Sequence, residues 1–360
     1  MGRQVQGRAA LWRRVGMGLL VCAGVATCSA EPPPWEIDNP IQPLAPPPLG
    51  LEFYFEDAKQ APDPARVRLG RWLFYDTRLS GDDTVACATC HRPEHAFSEP
   101  TPVSSGVGGQ RGKRKAPTFI NQAVTLHPHF FWDGRAGSLE DQALGPIENP
   151  IEMGNTHTSM IDTLSRIDGY GPYFEEAFGA REITKERVAL ALADYERTRV
   201  SGNSPYDRWR YNRDESAVPP DAKIGHDLFF GKGRCSQCHV GSNFTDSMFH
   251  NLGVGWDPGT ATFADDGRFI VTRNPADRGA FKTPTLREVT KRAPYMHDGS
   301  MATLRDVVEL YDRGGVGNPS LDPKLGPLGF TDAEIDAIIA FLTSLEGEGY
   351  QDTPPARFPE

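Results

Sequence analysis

The sequence predicts a mainly α-helical chain of two tandem domains with long loops, and three observations carry that prediction. A C-x-x-C-H run occurs twice, at residues 87–91 and 235–239. The surroundings of the two runs repeat. Gly70-Arg71-Trp72-Leu73-Phe74-Tyr75 before the first matches Gly225-His226-Asp227-Leu228-Phe229-Phe230 before the second. Ala116-Pro117-Thr118, Trp132-Asp133-Gly134 and Leu139 are echoed by Thr283-Pro284-Thr285, His297-Asp298-Gly299 and Leu304, which marks a duplicated unit. Finally, 31 Pro and 37 Gly among 360 residues exclude a helical rod or coiled coil and call for extensive loops.

From the N-terminus, residues 1–30 read as a secretory leader. Arg3, Arg8, Arg13 and Arg14 form a basic start, and Val15 to Cys28 is an apolar stretch of signal length, too short to span a bilayer. Cleavage fits either after Ala30 or before Cys28 as in a lipoprotein, so a periplasmic location is expected, with or without a lipid at Cys28. Losing the leader's four Arg takes the formal charge from −10 to −14. Such a chain repels nucleic acid and anionic membrane; the acidity either keeps the protein soluble or steers a basic partner protein. No apolar run is long enough for a transmembrane helix. Residues 31–60 are expected to form an extended Pro-rich arm.

Beyond the leader every Cys lies in the two repeated runs: Cys87, Cys90, Cys235 and Cys238. In C-x-x-C-H the two thiols can add to the vinyl groups of one porphyrin while the adjacent His binds its iron. A thioredoxin-like pair or a zinc site also uses paired Cys. Neither explains a His at the next position both times. Two haem c groups are therefore expected, with His91 and His239 as axial ligands. Each half then reads as a cytochrome c-like domain, over 61–212 and 213–348, with a tail at 349–360. An apolar helix leads into the motif, a long loop wraps the porphyrin and a later helix closes the far side. Thr184 to Arg199, with Val188, Leu192 and Tyr195 at helical spacing, fits the closing role in the first half. Thr331 to Leu345, with Ile335, Ile338, Ile339 and Leu342 behind a Thr331-x-x-Glu334 capping box, fits it in the second. The polar stretch Asn212 to Pro220 marks the boundary.

Over roughly residues 63 to 346 the chain resembles the bacterial di-haem cytochrome c peroxidases and their MauG-type relatives. The motifs are LGRxLFYDxRLS before the first haem run, then FWDGRA, LxxQAxGPIxNPxEM and APYMHDGS. The resemblance implies that the N-terminal haem cleaves hydrogen peroxide and the C-terminal haem delivers electrons. In the peroxidase branch a His sixteen residues after the haem-binding His caps the first iron at rest; here that position is Val107, which has no lone pair, so an open iron is expected. His127 and His129 are the other His considered for that role, and His95 follows His91 too closely. The resemblance places Gln142 and Glu152 over the open iron, Glu152 as the acid–base group and Gln142 orienting water or peroxide, with Glu140 and Asp141 as helix-start charges. Trp132 matches an aromatic between the haems that relays electrons. At the second haem, the sixth ligand is Met in the peroxidases and Tyr in the MauG branch; the matching residue is Tyr311, with Met296 or Met301 as rivals. The family holds calcium between the haems, but Lys115 and Arg292 stand at the expected site, two cations opposed to a dication.

The function expected is thus a periplasmic peroxidase that reduces hydrogen peroxide with electrons from a small cytochrome c or a cupredoxin. A second reading is MauG-like, in which peroxide drives oxidation of Trp or Tyr in a partner protein through a high-valent di-haem state. A third is a non-catalytic electron-transfer cytochrome, against which Val107 and Glu152 both count.

Overall fold

Each C-x-x-C-H run follows a helix that a later helix crosses at a glycine. The computed structural model describes residues 31–51, 61–122 and 129–360. The leader, Cys28 included, and His127 lie outside those residues. The helices are α1 (Pro34–Asp38), α2 (Pro64–Tyr75), α3 (Cys87–Cys90), α4 (Leu139–Glu148), α5 (His157–Ser165), α6 (Tyr170–Phe178), α7 (Lys185–Arg197), α8 (Pro205–Asn212), α9 (Pro220–Phe230), α10 (Phe269–Thr272), α11 (Leu304–Asp312) and α12 (Asp332–Thr343). Strands are few and short: β1 (Phe249–His250), β2 (Trp256–Asp257), β3 (Thr262–Phe263) and β4 (Phe281–Lys282), with β1 antiparallel to β4 and β2 to β3.

Helix α2 begins at an Asp63 cap whose carboxylate accepts the amides of Ala65 and Arg66, with Pro64 in the first turn. It buries Leu69, Trp72, Leu73 and Phe74, with Trp72 against Tyr173 of α6 and Phe74 against Tyr195 of α7, which starts at the Thr184 cap. At their crossing a Cβ on Gly70 would lie 1.9 Å from the Ala191 carbonyl oxygen. The second half repeats the device: a Cβ on Gly225 of α9 would lie 1.9 Å from the Ala337 carbonyl oxygen of α12. The repeated glycine therefore serves close backbone approach. Helix α12 opens with the expected capping box, Thr331 and Glu334 satisfying each other's amides. Two aromatic-rich cores result, one around Trp72, Phe74, Phe97 and Tyr195, the other around Phe229, Phe244, Ile338 and Phe341. They are the cores of two cytochrome c-like domains within one compact unit, Pro34–Glu360.

The arm departs from the extended expectation. Residues Pro34–Asp38 make a helical turn, the Trp35 indole donates to the Tyr173 hydroxyl at 3.0 Å and the Asn39 amide donates to the Arg68 carbonyl at 3.0 Å. These anchors are on α6 and α2, beyond any local signal. The segment after 348 is likewise tied back: Tyr350 is buried, and Asp352 accepts from Arg71 at 3.0 Å and from the Tyr195 hydroxyl at 2.7 Å.

Candidate active site

Both haem motifs are built by the same local geometry. His91 Nδ1 lies 3.0 Å from the Phe97 carbonyl, and His239 Nδ1 lies 2.9 Å from the Phe244 carbonyl. Each carbonyl is aimed by a Phe in the left-handed region, φ 55° and 51°. A ring held at Nδ1 leaves Nε2 for a metal. Burial keeps both imidazoles neutral, lowering the pKa of His91 and taking that of His239 to about 4. All four Cys are free of disulfides. Cys87, Cys90 and His91 line a cavity of about 610 Å³, and Cys235, Cys238 and His239 line one of about 210 Å³. Two free thiols and one oriented, neutral His on each cavity are the donor set of a covalent haem, so the residues fit one haem c per half.

Gln142 and Glu152 line the larger cavity together with the motif. Ser138 caps α4 by accepting the Asp141 amide, and Asn149 ends the helix. The Asn149 side-chain amide donates to Glu152 Oε1 at 2.7 Å. Burial raises the Glu152 pKa above the ordinary carboxylate value, opposed by the Arg135 charge and by that hydrogen bond. Val107 is not among the side chains lining the cavity. Its amide donates to the Glu152 carbonyl at 2.9 Å, and its Cγ2 would lie 2.7 Å from a Cβ on Gly154. The loop is pressed so closely on this backbone that a Cβ at Gly106 would lie 2.0 Å from the Ile151 carbonyl oxygen. Glu140 pairs with Arg197 at 2.6 Å, and Asp141 sits in the capped first turn. The His95 ring faces the Lys291 carbonyl at 3.4 Å, and the His129 ring lies against Phe249.

The smaller cavity is lined by both Tyr311, from α11, and Met296. Met301 is not among its lining residues. Burial pushes the Tyr311 phenol well above its ordinary value.

Between the two cavities lie Trp132, Lys282, Thr283 and Pro284, which line both. The Trp132 indole donates to the Lys115 carbonyl at 2.8 Å, and the Lys282 amide donates to the Trp132 carbonyl at 2.8 Å. Close by, the Lys115 ammonium donates to the Glu99 and Thr101 carbonyls. The Arg292 guanidinium donates to those of Thr285 at 2.6 Å and Arg287 at 3.0 Å.

Three further groups face these volumes. Glu196 and Gln122 line the larger cavity, each with a buried oxygen, Oε2 and Oε1, that has no hydrogen-bond partner among the described residues. Burial takes the Glu196 pKa up to about 8. Helical spacing on α7 does not mark Glu196 as special. Lys282 did carry a signal: Lys115-Ala116-Pro117-Thr118 repeats as Lys282-Thr283-Pro284-Thr285.

A model of the di-haem cytochrome c peroxidase family matches residues 64–216, and one of cytochrome c matches residues 222–346. The methylamine utilization protein MauG of Methylorubrum extorquens is 39% identical over 344 residues, covering 93% of this chain and 92% of the relative. Cytochrome c551 peroxidase of Nitrosomonas europaea is 37% identical over 282 residues, covering 78% of this chain and 80% of that one. Among solved structures, a MauG-like protein associated with microbial copper homeostasis superposes with a TM-score of 0.77 at 29% identity, covering 89% of this chain and 98% of that one.

Proposed function

The chain belongs to the di-haem cytochrome c peroxidase family, and from that premise we propose that it reduces hydrogen peroxide to water at the N-terminal haem with electrons relayed through the C-terminal haem. Membership in the family brings two haem c groups, whose irons supply the redox chemistry and a coordination site for peroxide. Cys87, Cys90 and His91 hold one of them in this reading, and Cys235, Cys238 and His239 the other.

The observation that carries the proposal is the larger cavity, which His91, Gln142 and Glu152 line together and whose lining does not include Val107. Reduction takes two electrons and two protons for each peroxide and yields two waters. Glu152 takes the proton from the near oxygen of peroxide and returns it to the far one, so that the departing group leaves as water. Gln142 orients peroxide by hydrogen bonds. Trp132, shared by both cavities, is the path for electrons arriving from a small cytochrome c or a cupredoxin in the periplasm.

Tyr311 in the smaller cavity, together with the similarity to MauG, favours a second reading: peroxide takes its two electrons from Trp or Tyr side chains of a partner protein. Stopped-flow mixing of the oxidised, haem-loaded protein with peroxide tests the choice. Rapid peroxide loss only when a reduced small redox protein is present is the expected result. Peroxide loss that stores a long-lived oxidising equivalent without any donor favours the second reading. No reaction under either condition overturns both and leaves an electron carrier.

A further inference from the structure

We propose that Lys282 binds a haem carboxylate at the junction of the two cavities and thereby raises the reduction potential of that haem. The inference rests on the two-haem reading but concerns a residue outside the peroxide pocket.

Lys282 sits on β4 and lines both cavities beside Trp132. Its Nζ donates to the His129 carbonyl at 2.9 Å and lies 5.5 Å from the Phe130 ring centroid. Among the described residues no carboxylate pairs with it. Its neighbours are differently placed: Arg114 is held between Asp133 and Asp265, both at 2.6 Å, and Arg268 donates to the Asp133 and Gly134 carbonyls. A half-buried ammonium with one carbonyl and one ring face is poorly compensated, and desolvation takes its pKa to about 8. What the site lacks is an anion.

Each haem carries two carboxylates, the anionic groups that loading would bring to these volumes. A carboxylate on Lys282 would complete the ammonium's hydrogen bonds and neutralise it beside Trp132. That second effect matters because an uncompensated cation next to an indole opposes removal of an electron from it. A fixed positive charge at the haem edge favours the reduced iron, which carries one positive charge fewer.

The test uses the full-length, haem-loaded protein, with haem counted by pyridine haemochrome and each haem titrated potentiometrically. In Lys282→Met, two haems are retained and one reduction equilibrium shifts about tenfold or more toward the oxidised form, which is 59 mV for one electron. Lys282→Arg, which keeps the charge, stays within about twofold of wild type, equivalent to less than half that potential shift. Identical midpoints in all three proteins would overturn the proposal. Should Lys282→Met load fewer than two haems, Lys282→Gln, which keeps a hydrogen-bond donor without the charge, takes its place: a midpoint shifted toward the oxidised form supports the proposal, and a midpoint unmoved from wild type overturns it. Wild-type protein with fewer than two haems would defeat the two-haem premise and the proposal with it, whereas two haems with unmoved potentials defeat Lys282 alone.

Discussion

Replacing Glu152 by Gln isolates proton transfer from shape. The Asn149 amide that donates to Glu152 Oε1 at 2.7 Å can donate equally to a Gln oxygen, so the side chain keeps its anchor and loses only its ability to carry a proton. General acid–base catalysis by a positioned group is worth about 10²–10⁴-fold. The expected fall in kcat/KM for peroxide is therefore about 10²–10⁴, or roughly 3–5 kcal/mol of transition-state stabilisation. The pH profile gives an independent check. Glu152 acts as a base only when ionised, so the rate falls as pH drops through its pKa, and burial sets that limb above the ordinary value of 4.5. Asn149→Ala removes a contact that lowers the pKa, so the limb moves further up; Glu152→Gln abolishes it. The assay is stopped-flow peroxide consumption with a reduced donor in excess, from pH 4 to 8. A Glu152→Gln rate within about threefold of wild type with the acid limb retained would show that another group moves the proton.

Tyr311→Phe is expected to change the optical and paramagnetic spectra of the C-terminal haem and raise its potential, because a phenolate stabilises the oxidised iron; if instead Met296→Leu changes those spectra and lowers the potential while Tyr311→Phe does neither, Met296 is the sixth ligand. With Lys115 and Arg292 buried and donating to backbone carbonyls, elemental analysis should find well under one calcium per chain, and chelation should leave the haem spectra unmoved; stoichiometric calcium would refute the replacement of metal by side chains. Glu196 has a folded pKa raised from 4.5 to about 8, so its contribution to stability is full below about pH 4.5 and is lost as pH rises toward 8; denaturant titrations should show stability falling across that window in the wild type and a flatter profile in Glu196→Gln. Gly225→Ala, which puts a Cβ 1.9 Å from a backbone oxygen on α12, should cost about 3 kcal/mol or more by urea unfolding, and an unchanged midpoint would mean that α9 and α12 separate readily.

Much of the site is legible along the chain because its chemistry is contiguous. Two thiols and a His in five residues suffice to read a haem attachment, and a capping box or a row of apolar residues at helical spacing is complete within one or two turns, as at Thr331–Glu334 and on α12. Lys282 falls in between: its place in the repeated x-Pro-Thr frame is visible in the sequence, but its lack of a carboxylate partner appears only once the chain is folded.

The sequence by itself determined the two haem motifs, the duplicated helical units and the absence of a lone pair at Val107, since each depends on residue identity and short spacing. Only the tertiary structure decided that Trp132 and Lys282 border both cavities, that Glu196 is buried with no hydrogen bond on its Oε2 from the described residues, that Met301 lies outside the smaller cavity while Met296 and Tyr311 share it, and that the arm and the tail both dock on the first domain. Burial and charge compensation are sums over neighbours that come from distant parts of the chain, and local spacing carries no record of who those neighbours will be.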